Sequence, residues 1–194
     1  GKPTLLTLNY FTCETLCSVQ LNAVLDGLKT LDWLPGRDFN VVTVSIDPNE
    51  GPDVSGPKRQ SYLDSLGRDG ADWTFLTGTQ DNISALAETV GFRYSYDEST
   101  GQYAHPAVVA FTSPEGRISR YIYGIQYPAM DLKFALMESA AGRAGSPVEK
   151  AHPFLLSLRR DRRTLHALGL WNHAPGRCCH DARSRSSRNR LVAA

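Results

Sequence analysis

The feature that most constrains the fold is a nearly continuous apolar run at residues 5–11, close to the start of the chain. A run of this length without polar alternation is typical of a strand that is buried on both faces of a parallel sheet. Apolar residues then recur at helical spacing over residues 14–31, and a second, β-branched strand follows at residues 39–46. The strand–helix–strand order predicts a right-handed βαβ unit.

Shorter patterns predict the remaining elements of the first 150 residues. We expect helices at residues 58–66, 83–90 and 131–141, and strands at residues 73–76, 107–111 and 118–123. Residues 50–57 are rich in Gly and Pro and are predicted to form a loop. The element order predicts an α/β fold with a mixed sheet flanked by helices.

The charge of the chain changes abruptly near residue 150. Residues 1–150 contain 12 Lys and Arg against 18 Asp and Glu, whereas residues 151–194 contain 9 Arg and 2 Asp. We therefore predict a domain at residues 1–148 and a basic tail with little packed structure at residues 149–194. Our hypothesis is that this tail is translated out of frame, and for that reason we assign its arginines no role in nucleic-acid binding. Reading the encoding DNA in the other two frames is the test.

Cys13 and Cys17 are the first candidates for chemistry. They follow the first predicted strand at a spacing of four residues, which in a helix puts two side chains on one face. A helix N-terminus favours thiolates, because the positive end of the helix dipole lies there. Such a pair can hold a soft metal ion or exchange a disulfide. Two buried cysteines that merely pack in the core are the alternative interpretation.

His105 is the candidate third group, since the other four histidines all lie beyond residue 150. It directly precedes Pro106 and a predicted central strand. In thioredoxin-like folds the loop before this strand packs beside the cysteine pair, so Cys13, Cys17 and His105 would converge. Two thiolates and one imidazole suit copper or zinc better than hard cations.

Together these motifs resemble those of the Sco/SenC family of copper chaperones. The resemblance covers residues 1 to about 148, and it is carried by residues 2–11 leading into Cys13-x-x-x-Cys17, and by residues 44–48, 76–78, 103–105 and 113–117. It implies a thioredoxin-like fold that binds one copper ion through Cys13, Cys17 and His105. The family commonly has Pro after each cysteine, where this chain has Glu14 and Ser18.

The resemblance also implies a role, partners and a location. The role is delivery of copper to the binuclear copper centre of cytochrome c oxidase, so the partners are the subunit that holds that centre and a thiol–disulfide reductant. The location is the periplasm or, in eukaryotes, the mitochondrial intermembrane space, usually with an N-terminal membrane anchor. Because a strand begins so close to Gly1, we expect such an anchor to be missing from this sequence.

Two other classes of function stay open from the sequence. The first is a thiol–disulfide oxidoreductase acting on partner cysteines, with Cys13 as the nucleophile and Cys17 as the resolving thiol. The spacing argues against an oxidoreductase, because redox motifs of the thioredoxin type have two residues between the cysteines, whereas this chain has three. The second is a thioredoxin-like binding module without chemistry of its own. Replacing His105 separates the copper chaperone from the oxidoreductase, because only the chaperone needs the imidazole.

Overall fold

The computed structural model describes residues 1–13 and 16–143, apart from the side chains of residues 16 and 17. The predicted tail at residues 149–194 therefore lies outside the described residues. The strands are β1 (Thr4–Asn9), β2 (Asn40–Ser45), β3 (Thr74–Leu76), β4 (Ser95–Asp97), β5 (Gln102–Ala104), β6 (Val108–Thr112) and β7 (Ile118–Tyr123). The helices are α1 (Leu16–Thr30), α2 (Pro52–Leu66), α3 (Gln80–Thr89) and α4 (Ala129–Ala140). Over these residues, none of the helices is long and apolar enough to cross a bilayer.

A five-stranded mixed sheet organises the fold, with the strand order β3-β2-β1-β6-β7. The strands β1, β2 and β3 run parallel, whereas β6 is antiparallel to both β1 and β7. Because β1 is central, both of its faces are covered: Leu5 packs in one core cluster, and Leu6 and Leu8 pack in the other. The predicted α/β fold with a mixed sheet is confirmed, and central burial explains the continuous apolar run.

The two faces of the sheet have separate cores. On one face, α1 and α4 contribute fully buried leucines, and Trp73 packs with them. On the other face, α3 contributes Ile83 and Ala87, and Cys13 belongs to this second cluster. The helices thus sandwich the sheet, and Cys13 lies on the α3 side.

The prediction that residues 50–57 form a loop is wrong. Helix α2 already begins at Pro52, because proline in the first helical turn lacks an N–H that would have no partner there anyway. Asp53 favours the same turn, since its negative charge lies near the positive end of the helix dipole. Ser55 is buried and Val54 packs against the core, so tertiary contacts offset the cost of Pro57 inside the helix.

Arg68, just after α2, holds the end of α1 in place. Its Nη1 donates hydrogen bonds to the carbonyls of Leu28, Leu31 and Trp33, at 3.0, 2.7 and 3.0 Å. The last carbonyls of a helix have no partner within the helix, so a cation with several donors is a favourable partner. This interaction fixes α1, which carries Cys17 in its first turn, against the β2–α2 half of the domain.

Candidate metal centre

Cys13 lies in the loop that leaves the carboxyl end of β1. It is 7% exposed and packs in the same cluster as Tyr10 and Val108. The hydroxyl of Ser18 donates to the Cys13 carbonyl at 3.0 Å, which ties this loop to the first turn of α1. Cys17 lies within α1, whereas Cys13 lies ahead of it. The expectation that Cys13 and Cys17 lie on one face of a helix therefore does not hold, because Cys13 precedes the helix.

His105 lies in the loop between β5 and β6, at the same end of the sheet, because β6 runs antiparallel to β1. Its ring packs against Tyr10 and Phe92, with centroid separations of 6.3 and 5.9 Å. The described residues contain no cis peptide bond, so Pro106 follows a trans bond. The ring is half-buried between the Cys13 loop and the α3 side of the core.

The hydrogen bond of His105 identifies which ring nitrogen suits a metal. Its Nδ1 lies 3.1 Å from the carbonyl oxygen of Pro106. A carbonyl only accepts, so Nδ1 carries the proton, and in the neutral imidazole the lone pair then resides on Nε2. Metal-binding histidines commonly donate their other N–H to a backbone carbonyl in this way.

The protonation state of His105 also suits a ligand. Burial lowers the pKa of the imidazole, an effect that the hydrogen bond to the Pro106 carbonyl only partly opposes. The ring is therefore neutral at pH 7, and neutral imidazole is the form that binds metal ions.

Gln20 connects the three segments that carry the predicted ligands. This fully buried side chain accepts a hydrogen bond from Asn9 Nδ2 at 2.9 Å and donates one to the Val108 carbonyl at 2.9 Å. Asn9 ends β1, four residues before Cys13, and Val108 begins β6, three residues after His105. Gln20 itself is in α1, one turn after Cys17, so a single amide holds these segments together.

Asp47 and Tyr103 border the site. Asp47 stabilises the turn after β2, since its Oδ1 accepts hydrogen bonds from the backbone and side-chain nitrogens of Asn49, both at 2.9 Å. The Tyr103 ring packs on Tyr10 at 5.5 Å, and its hydroxyl lies 3.5 Å from Asp47 Oδ1. Burial and the charge of Asp47 raise the pKa of Tyr103 to about 12, so the phenol keeps its proton.

The structure brings Cys13 and His105 to one end of the sheet, where Tyr10 contacts the His105 ring and shares a core cluster with Cys13. Among the described side chains, no three His, Cys, Asp or Glu residues form a group that could hold a metal ion. The Cys17 side chain is outside the described part of the chain, so the three-ligand set stays a prediction.

Comparison with known proteins identifies the family. The sequence model of the SCO1/SenC family matches residues 1–133, more than half of the chain. The chain belongs to the SCO1/SenC family. No curated protein matches the sequence.

Solved structures similar to this SCO1/SenC chain share its fold. A candidate electron transfer protein from Aquifex aeolicus VF5 is 28% identical, with a TM-score of 0.64, covering 76% of this chain and 82% of its own. Arabidopsis thaliana ScoI with copper bound is 21% identical, with a TM-score of 0.55 and coverages of 73% and 85%. BsSco, a member of the Sco family of cytochrome c oxidase assembly proteins with a disulfide switch, is 21% identical, with a TM-score of 0.54 and coverages of 71% and 80%. These likenesses confirm the predicted thioredoxin-like fold.

Sequence reasoning missed Gln20, Glu50 and Lys58, which all contact the segments around the site. Glu50 fell in a predicted polar loop and Lys58 at a predicted helix start, positions where charged residues usually face solvent. Glu50 is instead 6% exposed and hydrogen-bonded to the backbone of the Cys13 loop. No sequence pattern signals a side chain whose partners are backbone groups distant in the chain.

Proposed function

We propose that this SCO1/SenC chain binds copper through Cys13, Cys17 and His105 and delivers it to the binuclear copper centre of cytochrome c oxidase. The observation that supports it best is the neutral His105, whose Nδ1 donates to Pro106 beside the Cys13 loop. Membership of the family supports it too, as do the copper bound by Arabidopsis ScoI and the place of BsSco among the cytochrome c oxidase assembly proteins.

The chemistry of these three groups suits Cu(I) as cargo. Thiolates are soft ligands that favour Cu(I), and one imidazole completes a low-coordinate set from which a partner's ligands can take the ion by exchange. Each cysteine must be reduced and must lose its proton when the metal binds. A thiol–disulfide reductant is therefore the second partner, because a Cys13–Cys17 disulfide would offer no thiolate.

The location that we propose follows from the partner. The binuclear copper centre and its subunit are served from the periplasm or, in eukaryotes, from the intermembrane space, and a membrane anchor would hold the domain there. These points rest on the family resemblance.

The second candidate function is thiol–disulfide exchange with partner cysteines. The disulfide switch identified in BsSco favours it, together with the position of Cys13 just before α1, where the helix dipole stabilises a thiolate. Cys13 would attack the partner disulfide to form a mixed disulfide, and Cys17 would release the reduced partner by closing the intramolecular disulfide. His105 has no required part in this exchange.

Anaerobic Cu(I) titration of the full-length, reduced chain tests the proposal. A background of Cys178→Ser and Cys179→Ser removes the thiols of the tail. We expect one copper per chain, and we expect His105→Ala to weaken binding by roughly 100-fold or more, since loss of a ligand costs at least as much as loss of an outer-shell partner. His166→Ala, the matched control in the tail, should bind as the parent does.

Two results would contradict copper delivery. Retention of copper by His105→Ala at the parental affinity would exclude the three-ligand site. No bound copper in the parent, with a Cys13–Cys17 disulfide that cycles readily with glutathione, would leave the oxidoreductase as the better assignment.

A further inference from the structure

The peptide group between Phe11 and Thr12, one residue before Cys13, is held at both ends by charged side chains. The backbone N–H of Thr12 donates to Glu50 Oε1 at 2.7 Å, and the carbonyl of Phe11 accepts from Lys58 Nζ at 2.5 Å. An anion therefore faces the N–H and a cation faces the C=O of one peptide plane. Hydrogen bonds with one charged partner are about twice as strong as neutral ones, so they resist rotation of that plane.

Glu50 is fixed by more than this peptide. Its Oε2 also accepts from the N–H of Phe11 at 2.8 Å and from the hydroxyl of Ser45 at 2.5 Å. A carboxylate that is only 6% exposed is costly to bury unless it is hydrogen-bonded, and these three donors compensate it. Because Ser45 ends β2, the strand beside β1, the carboxylate is anchored to the sheet itself.

Lys58 approaches from a different element. It is half-buried in α2, and its ammonium reaches over to the carbonyl that Phe11 presents. The loop before Cys13 is thus held from the end of β2 and from α2 together. Hydrogen bonds from two elements fix the direction in which the chain enters Cys13.

We propose that Glu50 and Lys58 are positioning residues that orient the Cys13 side chain and keep it buried in its cluster. When either side chain no longer holds the Phe11–Thr12 peptide, that peptide can rotate, and the Cys13 sulfur then leaves the orientation needed to share a metal ion with His105. The part of this inference that concerns copper rests on the proposed function. The part that concerns the orientation of the thiol does not.

Alkylation of the metal-free, reduced, full-length chain by iodoacetamide tests the orientation of the thiol, with Cys13 followed by tandem mass spectrometry. Glu50→Gln replaces one carboxylate oxygen with an NH2 group, which cannot accept a hydrogen bond from the backbone N–H that faces it. Lys58→Met removes the cation but keeps a side chain of similar length. We expect both to raise the alkylation rate of Cys13 by about tenfold or more, because losing a hydrogen bond to a charged group shifts a local opening equilibrium by at least that factor. The exposed matched controls, Glu98→Gln and Lys29→Met, should keep the parental rate.

Two further measurements separate positioning from general stability. Lys58→Arg keeps a cation at the Phe11 carbonyl and should restore the slow alkylation that Lys58→Met loses. Below the urea unfolding transition, the faster alkylation should not increase with urea, because only the loop opens. The proposal is wrong if the rates match those of the controls, or if they rise in step with global unfolding. Should Glu50→Gln not fold, the Lys58→Met and Lys58→Arg pair decides alone.

Competition with a chromophoric Cu(I) chelator tests the consequence for copper. We expect Glu50→Gln and Lys58→Met to bind Cu(I) about 10–100-fold more weakly than the parent. If the parent binds no copper but the alkylation rates differ as expected, copper delivery fails and the positioning role stands. If the parent binds copper and the variants match their controls in both measurements, the positioning role fails and copper delivery stands.

Discussion

At the scale of single residues, buried polar side chains decide how the site is assembled. Gln20 is fully buried, and its amide is the partner of both Asn9 and the Val108 carbonyl. Leaving a buried polar group unpaired costs about 1–3 kcal/mol, more than a typical hydrogen bond contributes net. Loss of the Gln20 amide is therefore costly mainly because it leaves Asn9 and the Val108 carbonyl without their partner, and less because of the net strength of the hydrogen bonds themselves.

Gln20→Leu has nearly the same volume but cannot pair with these two groups. We expect the free energy of unfolding to fall by roughly 2–6 kcal/mol, at about 1–3 kcal/mol for each of the two groups left unpaired. Urea denaturation followed by circular dichroism measures it. The control is Gln60→Leu, the same change on the exposed face of α2, where we expect little effect. Equal losses in both variants would contradict the connecting role of Gln20.

At the scale of elements, the turn from α1 into β2 shows how one carboxylate fixes a connection. Asp38 Oδ2 accepts from the backbone N–H of Leu34 at 2.7 Å, and Gly36 in the same turn takes a φ of +87°, which favours glycine. The hydrogen bond from the Arg37 guanidinium, followed by that from Leu34, lowers the pKa of Asp38 from 3.8 to about 2.

This lowered pKa predicts the pH range in which the turn is stabilised. Because the folded pKa of Asp38 lies below its unfolded value, the ionised carboxylate stabilises the fold above pH 3.8, and that contribution is lost as the pH falls towards about 2. The stability difference between the parent and Asp38→Asn should therefore be constant near neutral pH and shrink below about pH 4. Urea titrations across this range measure it.

The control for the turn is Asp69→Asn, which removes an exposed carboxylate elsewhere on the surface. High salt should reduce the stability difference between the parent and Asp38→Asn only in part. Salt screens the charge interaction of Asp38 with Arg37 more than the hydrogen bond that Asp38 accepts from Leu34. If the stability difference between the parent and Asp38→Asn stayed unchanged down to pH 2, ionisation of Asp38 would not be its cause.

At the scale of the whole molecule, the first 143 residues contain every element of the sheet and both cores. The last helix of the described residues, α4, closes one core with Leu132 and Leu136, which are fully buried. The domain at residues 1–148 stays a prediction, since residues 144–194 lie beyond the part that the structure describes.

A chain that ends at Val148 should unfold at the same urea concentration as the full-length chain. The reason is that all the described residues of the sheet and of its two cores precede Val148. The control ends at Gly124 and so lacks α4; it should lose the cooperative transition, because the core around Leu132 would be open to water. A clearly lower midpoint for the chain that ends at Val148 would contradict the domain boundary.

The sequence by itself determined the class of fold and identified the candidate ligands of the predicted metal site. The central strand was predictable because a strand that is buried on both faces has a continuous apolar run, and α1 was predictable because side chains recur every 3.6 residues along a helix. Cys13 and His105 were recognisable because few residue types bind soft metals, and because each flanks a strand of the same sheet.

Only the tertiary structure decided the start of α2 and the roles of Gln20, Glu50 and Lys58. Gly56 and Pro57 favour a loop when only local propensity is considered, and packing of Val54 and burial of Ser55 override it. The partners of Glu50 and Lys58 are backbone groups 38, 39 and 47 residues away. Every residue has a backbone N–H or C=O of this kind, so the sequence cannot mark which of them a distant charge will meet, and only the folded chain selects it.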